Sequence, residues 1–123
     1  MTQTLKTIVL VVEDEPLIRS LATEVLEDEG YEVYAFANAD DALDFLIRKD
    51  GSEIGALFTD VHMPGQMNGV ELASVVAKNW PEIGILLTSG RYNLDDETPE
   101  RVSFLPKPWT SDQMVEEVRH VIS

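Results

Sequence analysis

Apolar positions along the chain alternate between short runs and stretches of helical period. Runs rich in branched and apolar residues at 7–12, 31–36, 56–59, 83–88 and 102–105 read as short strands, and segments with apolar residues three and four apart separate them. The first such segment begins at Pro16, a residue suited to the first turn of a helix. It carries Leu17, Ile18, Leu21, Ala22, Val25 and Leu26 on one stripe and stops at Gly30. Asn38 predicts the cap of a second helix, with Ala39, Ala42, Leu43, Leu46 and Ile47 as its inner face and Gly51 after its end. Asn68 with Glu71, and Thr110 with Gln113, have the three-residue spacing of a capping box, so each opens a further helix. The last of these carries Met114, Val115, Val118, Val121 and Ile122. Between Gly90 and Arg101 the only large apolar residues are Tyr92 and Leu94, so the fourth helix expected there is short or irregular.

Strands alternating with helices predict an α/β fold, a doubly wound five-stranded parallel sheet flanked by about five helices. The 123 residues, 44% of them hydrophobic, suffice for one core, so residues 1–123 are expected to form one domain. No internal repeat or linker interrupts them, and the starting Met1 favours a free-standing protein over a piece of a larger one. Charge narrows the partners. Against 23 acidic residues stand 9 basic ones, a formal net charge of -14 that opposes direct contact with nucleic acid. The absence of cysteine excludes a disulfide framework, thiolate metal sites and thiol nucleophiles. The apolar run at residues 8–12 is too short for a membrane span and no signal-peptide pattern precedes it, so a soluble, cytoplasmic chain is expected.

In an open parallel sheet ligands bind beyond the carboxyl ends of the strands. The first strand runs into Glu13-Asp14-Glu15, the third into Asp60, the fourth into Thr88-Ser89, and the fifth into Lys107 between Pro106 and Pro108. Carboxylates converging on one crevice repel unless a hard cation sits among them, and oxygen donors suit Mg²⁺. Taken singly, each residue has a plainer reading. Asp60 suits a turn before Pro64-Gly65, Lys107 a surface lysine, Thr88 a strand-end filler, and an aromatic such as Phe104 a core position. Trp80 and Trp109 read as packing or surface residues, and His120 as an exposed or partly exposed position on the last helix. The set at four strand ends in this order is what changes the picture.

With Glu13-Asp14, Asp60, Thr88 and Lys107-Pro108 so arranged, the sequence resembles the CheY-like response-regulator receiver family over essentially its whole length. The resemblance implies the flavodoxin-like strand order 2-1-3-4-5. It implies that Asp60 accepts a phosphoryl group from a sensor histidine kinase or a histidine phosphotransfer protein. Asp14, Asp60 and the main-chain carbonyl of His62 would hold Mg²⁺, with Mn²⁺ able to substitute, and Glu13 would act through a bound water. Lys107 would supply a second positive contact, and Thr88 would move toward the phosphoryl group in a switch coupled to Phe104. Such a protein is a phosphoacceptor that assists its own phosphotransfer and slow self-dephosphorylation, not an enzyme for separate substrates. It would act on a downstream protein effector, as a monomer or a phosphorylation-dependent dimer.

Two stretches depart from the family pattern. After Asp60 the chain reads Val61-His62-Met63-Pro64-Gly65-Gln66-Met67-Asn68-Gly69, one residue longer than the usual methionine-proline-x-methionine-aspartate-glycine run. The stretch from Thr88 to Lys107 is shorter than usual, which predicts an output surface remodelled around residues 91–103. Four other functions compete. A flavodoxin-like FMN protein needs a phosphate-binding loop where Glu13-Asp14-Glu15 would repel the anion, and no G-x-G-x-x-G follows the first strand for a dinucleotide. A metal-dependent phosphatase would need a general acid two residues after Asp60, where His62 stands. A degenerate receiver that binds partners without phosphorylation is the remaining alternative, although every residue the transfer needs is present.

Overall fold

Strand β1 (Ile8–Val12) is buried along its whole length, and its side chains alternate between two cores. Ile8, Leu10 and Val12 face one, Val9 and Val11 the other. A strand buried on both faces needs no polar alternation, which is why this run reads as continuous Ile-Val-Leu-Val-Val. In the computed structural model, which describes residues 6–90 and 102–122, β1 pairs in parallel with β2 (Glu32–Phe36) on one side and β3 (Ile54–Asp60) on the other. Strands β4 (Gly84–Ser89) and β5 (Val102–Pro106) extend the sheet, giving the order β2-β1-β3-β4-β5 with every pairing parallel.

Helices cover both faces. From α1 (Pro16–Asp28) come Ala22 and Leu26, and from α4 (Ser111–Ile122) Met114 and Val118, which pack on Val9, Val11, Phe58, Leu86 and Leu105. On the opposite face α2 (Ala39–Lys49) and α3 (Gly69–Asn79) contribute Ala39, Ala42, Leu46, Leu72, Ala73 and Val76 against Leu10, Leu57, Ile85 and Leu87. Connections leave β1 toward β2 on one side and reach β3 on the other, so the loops after β1 and β3 part and open a crevice at their carboxyl ends.

Capping at three helix starts agrees with the sequence. Asn38 Oδ1 accepts from the Asp41 main-chain N–H at 2.8 Å. Asn68 and Glu71 form the full reciprocal box, and Thr110 and Gln113 exchange the same two bonds. Strand β3 is longer than the expected 56–59, because Gly55 interrupts an apolar run that pairing with β1 carries through to Ile54.

Two helix faces differ from expectation. Leu17 is 80% exposed and Leu21 is also exposed, although both lie on the apolar stripe of α1. Ile47 on α2 is 66% exposed. A helix on a sheet buries one narrow row, here Ala22 with Leu26 and Ala39 with Ala42 and Leu46; Leu21 and Ile47 sit about 100° round the helix from Ala22 and Leu46, and Leu17 lies farther round still. Four helices occur among the described residues. The irregular fourth helix expected between Gly90 and Arg101, and most of the expected remodelled surface, lie outside the described residues. No helix among the described residues is long and apolar enough to cross a membrane.

Candidate functional site

The acidic pair after β1 is held by main-chain contacts. The Glu13 N–H donates to Phe36 O at 3.0 Å, continuing the β1–β2 ladder one residue past the strand. Glu13 Oε2 accepts from the Glu15 N–H at 3.0 Å, and Arg19 Nη1, from the first turns of α1, donates to the Glu13 carbonyl at 2.9 Å. These bonds turn Glu13 inward, where it is only 4% exposed, and leave Asp14 exposed. Arg19 is a contributor that sequence reasoning missed. Its one signal is a basic residue one helical turn into the helix that follows the acidic pair.

Asp60 ends β3 opposite Thr88 of β4 and is 7% exposed. The main chain around it is crowded. Thr59 Oγ1 donates to the Asp60 carbonyl at 2.9 Å, the Val61 N–H donates to Thr88 O at 3.1 Å, and the Gly69 N–H donates to Val61 O at 2.9 Å. The start of α3 presses so closely on this turn that a Cβ at position 69 would lie 1.9 Å from the Asp60 carbonyl oxygen. Only glycine fits there.

Lys107 follows β5, where its N–H donates to Ser89 O at 3.1 Å and its peptide bond to Pro108 is cis. Its Nζ bridges the two inward carboxylates, 2.9 Å from Glu13 Oε1 and 3.1 Å from Asp60 Oδ2. Burial raises the Glu13 carboxyl above its ordinary range; the hydrogen bonds from Lys107 and the Glu15 N–H pull it back only in part, and the Asp60 charge adds to the rise. For Lys107 burial favours the neutral amine, but hydrogen bonds and charge attraction from Glu13 and Asp60 outweigh it and raise the ammonium above its ordinary value. The cluster therefore keeps its cation charged.

Carboxylate oxygens of Glu13, Asp14 and Asp60 all lie within 4.8 Å of one another. Among the described residues one ammonium faces this group, which leaves carboxylate charge uncompensated there, and an all-oxygen donor set suits a hard divalent ion such as Mg²⁺. Beside it, Thr88 Oγ1 is buried and has no hydrogen-bond partner among the described residues. An orphaned hydroxyl next to a cluster of anions and a cation is a donor waiting for an acceptor. Asp60, His62, Ser89, Gly90 and Lys107 line an open cavity of about 290 Å³ next to the cluster, with His62 itself exposed at the rim. Phe104 is half-buried against the core under α2 and α3, paired in register with Leu87, one position from Thr88. The fold thus brings Glu13, Asp14, Asp60 and Lys107 into one cluster, sets Thr88 beside Asp60, and keeps the Phe104 ring in the adjoining core.

Comparison with known proteins agrees with this arrangement. The sequence profile of the response regulator receiver domain matches residues 9–119. The nitrogen assimilation regulatory protein NtrX of Azorhizobium caulinodans is 31% identical over 117 residues, covering 87% of this chain and 24% of that protein. The chain thus spans about a quarter of that relative's length. The crystal structure of the receiver domain of the hybrid histidine kinase CckA superposes with a TM-score of 0.78 at 31% identity, over 94% of this chain and 99% of that one. A response regulator receiver protein from Sinorhizobium medicae superposes with a TM-score of 0.86 at 25% identity, over 95% of this chain and 94% of that one. With its five-stranded order, its acidic cluster and the profile match over most of its length, the chain belongs to the response-regulator receiver family of two-component signalling.

Proposed function

We propose that Asp60 accepts a phosphoryl group from a phosphohistidine on a partner protein, in a reaction that requires Mg²⁺. One observation carries the assignment. Of the three clustered carboxylates, Asp60 both meets Lys107 Nζ and lines the open cavity, whereas Glu13 meets Lys107 but does not line the cavity and Asp14 does neither. Asp14, Asp60 and the main-chain carbonyl of His62 would hold the metal, with Glu13 reaching it through water. When bound, Mg²⁺ neutralises charge on the transferring phosphoryl group.

The rest of the chemistry belongs to the side chains. An Asp60 carboxylate oxygen attacks phosphorus as the phosphorus–nitrogen bond breaks; the electron pair returns to the departing imidazole, which takes up a proton. The products are an aspartyl phosphate and a neutral histidine. Lys107 shifts from the Asp60 carboxylate to a phosphoryl oxygen, so its charge stays compensated throughout. Thr88 Oγ1, which has no hydrogen-bond partner among the described residues, donates to another phosphoryl oxygen. Movement of Thr88 frees space next to Phe104, whose ring has no hydroxyl and follows by packing alone. That shift is the output, read by a protein effector. A sensor histidine kinase or histidine phosphotransfer protein is the donor in this reading, supported by the family and by the likeness to the CckA receiver, and the reaction belongs in the cytoplasm.

Incubation with acetyl phosphate, with and without Mg²⁺, followed by intact mass, tests the assignment. Gain of one phosphoryl group that depends on Mg²⁺ and disappears in Asp60→Asn is expected. Persistence of the modification in Asp60→Asn would remove Asp60 from the role. No modification of the wild type, with acetyl phosphate or with a histidine kinase, would favour a binding module that works without phosphorylation.

A further inference from the structure

The loop between Val61 and Asn68 is one of the two stretches whose length departs from the family pattern. Main-chain bonds from Val61 and Gly69 hold its ends, and Met63 and Met67 pack against the core. Its tip, Pro64-Gly65-Gln66, is exposed. Asp40 in the first turn of α2 reaches over to it. The Gln66 main-chain N–H donates to Asp40 Oδ2 at 3.3 Å. Gly65 has φ of 114°, and a Cβ built there would lie 2.7 Å from the same oxygen, so the carboxylate closes over the tip from the side that a longer side chain would fill. The cap of α2 is supplied by Asn38, which leaves Asp40 free for this contact.

We infer that Asp40 is a positioning residue for the metal site, clasping the tip of the lengthened loop so that the main-chain carbonyl of His62 stays in register with Asp14 and Asp60. The inference rests on His62 ligating Mg²⁺ through its carbonyl, as proposed above. Mg²⁺ demands near-ideal octahedral geometry at short distance, so a ligand carried on a loop with several arrangements binds only in the fraction of time it is correctly set. Gly65 gives the tip its turn at the cost of backbone freedom, and Asp40 takes that freedom away.

Titration with MgCl₂, followed by calorimetry, on wild type, Asp40→Ala, Asp40→Asn and Asp14→Asn tests the clasp, together with amide hydrogen exchange at Gln66 without metal. Asp40→Ala is expected to weaken Mg²⁺ binding about three- to tenfold, the range one net hydrogen bond supplies, and to speed Gln66 exchange by a similar factor. Asp40→Asn keeps an oxygen acceptor in place but drops the charge, and should bind like wild type. If Asn binds as weakly as Ala, the residue acts through long-range charge and the clasp is wrong. Wild-type affinity in Asp40→Ala overturns it too. Absence of saturable binding by wild type, or full binding by Asp14→Asn, would instead overturn the metal assignment, and Gln66 exchange would still decide whether Asp40 holds the loop.

Discussion

Gly69→Ala tests how tightly the start of α3 is pressed on the turn that carries Asp60. The added Cβ would lie 1.9 Å from the Asp60 carbonyl oxygen and 2.8 Å from its carbonyl carbon, so strand end and helix start must separate by more than 1 Å to restore ordinary contact. Both partners are main chain, which cannot swing aside as a side chain can. Overpacking of this kind costs about 1–3 kcal/mol, here at the upper end. Strain on the Gly69 N–H to Val61 O bond adds roughly 1 kcal/mol. Alanine's better helix propensity returns about 1 kcal/mol at most. A net loss of about 2–4 kcal/mol follows, and with about 4 °C per kcal/mol for a chain of 123 residues the midpoint should fall by roughly 8–16 °C. Thermal melting by circular dichroism reads it directly. Because the clash falls on the Asp60 carbonyl, phosphorylation by acetyl phosphate should also slow at temperatures where the variant is folded. A midpoint equal to or above wild type, as helix propensity alone would give, refutes the reasoning.

Mg²⁺ at a hundred times its dissociation constant should stabilise the wild type by about 2.7 kcal/mol, a midpoint rise near 10 °C that Asp14→Asn abolishes; an equal rise in that variant would contradict the metal assignment. Lys107→Met, without metal, should lower the midpoint most near neutral pH and progressively less as pH falls toward the carboxylate range. The sign follows from Glu13: its folded-state carboxyl is raised by burial, so the folded state takes up that proton first and gains stability as pH falls through the raised value, and losing the Lys107 hydrogen bond widens the difference. A deficit that grows on acidification would show that the ammonium does not offset these carboxylates. Leu46→Ala empties a fully buried site between α2 and the sheet and should cost about 2–5 kcal/mol in urea unfolding, whereas Ile47→Ala, one residue along but exposed, should cost well under 1 kcal/mol; similar losses would mean the wrong row of α2 faces the sheet.

Much of this protein is legible in its residues because the signals involved are local. Short runs of branched and apolar residues and period-3.6 patterns locate five strands and four helices, and Asn38, the Asn68–Glu71 pair and the Thr110–Gln113 pair mark three helix starts to the residue. The grouping of Glu13, Asp14, Asp60 and Lys107 was also within reach of the sequence, since parallel strands send all their carboxyl ends to one edge and those residues each follow a strand. Which helical row meets the sheet was not legible. Leu17, Leu21 and Ile47 belong to apolar stripes wider than the row a sheet can cover, and only the docking angle of each helix decides which leucine or isoleucine is left in solvent.

Contacts between distant residues mark the same boundary. Composition and spacing determined the fold class, the strand ends and the kind of ion the acids suit. Tertiary structure alone decided that Lys107 bridges Glu13 and Asp60 across 94 and 47 residues of chain, that position 69 has no room for a side chain, and that Asp40 reaches Gln66 from 26 residues away. The physical reason is that periodicity and capping are fixed by neighbours along the chain, whereas these distances follow from how separate elements pack, and packing is a property of the whole core.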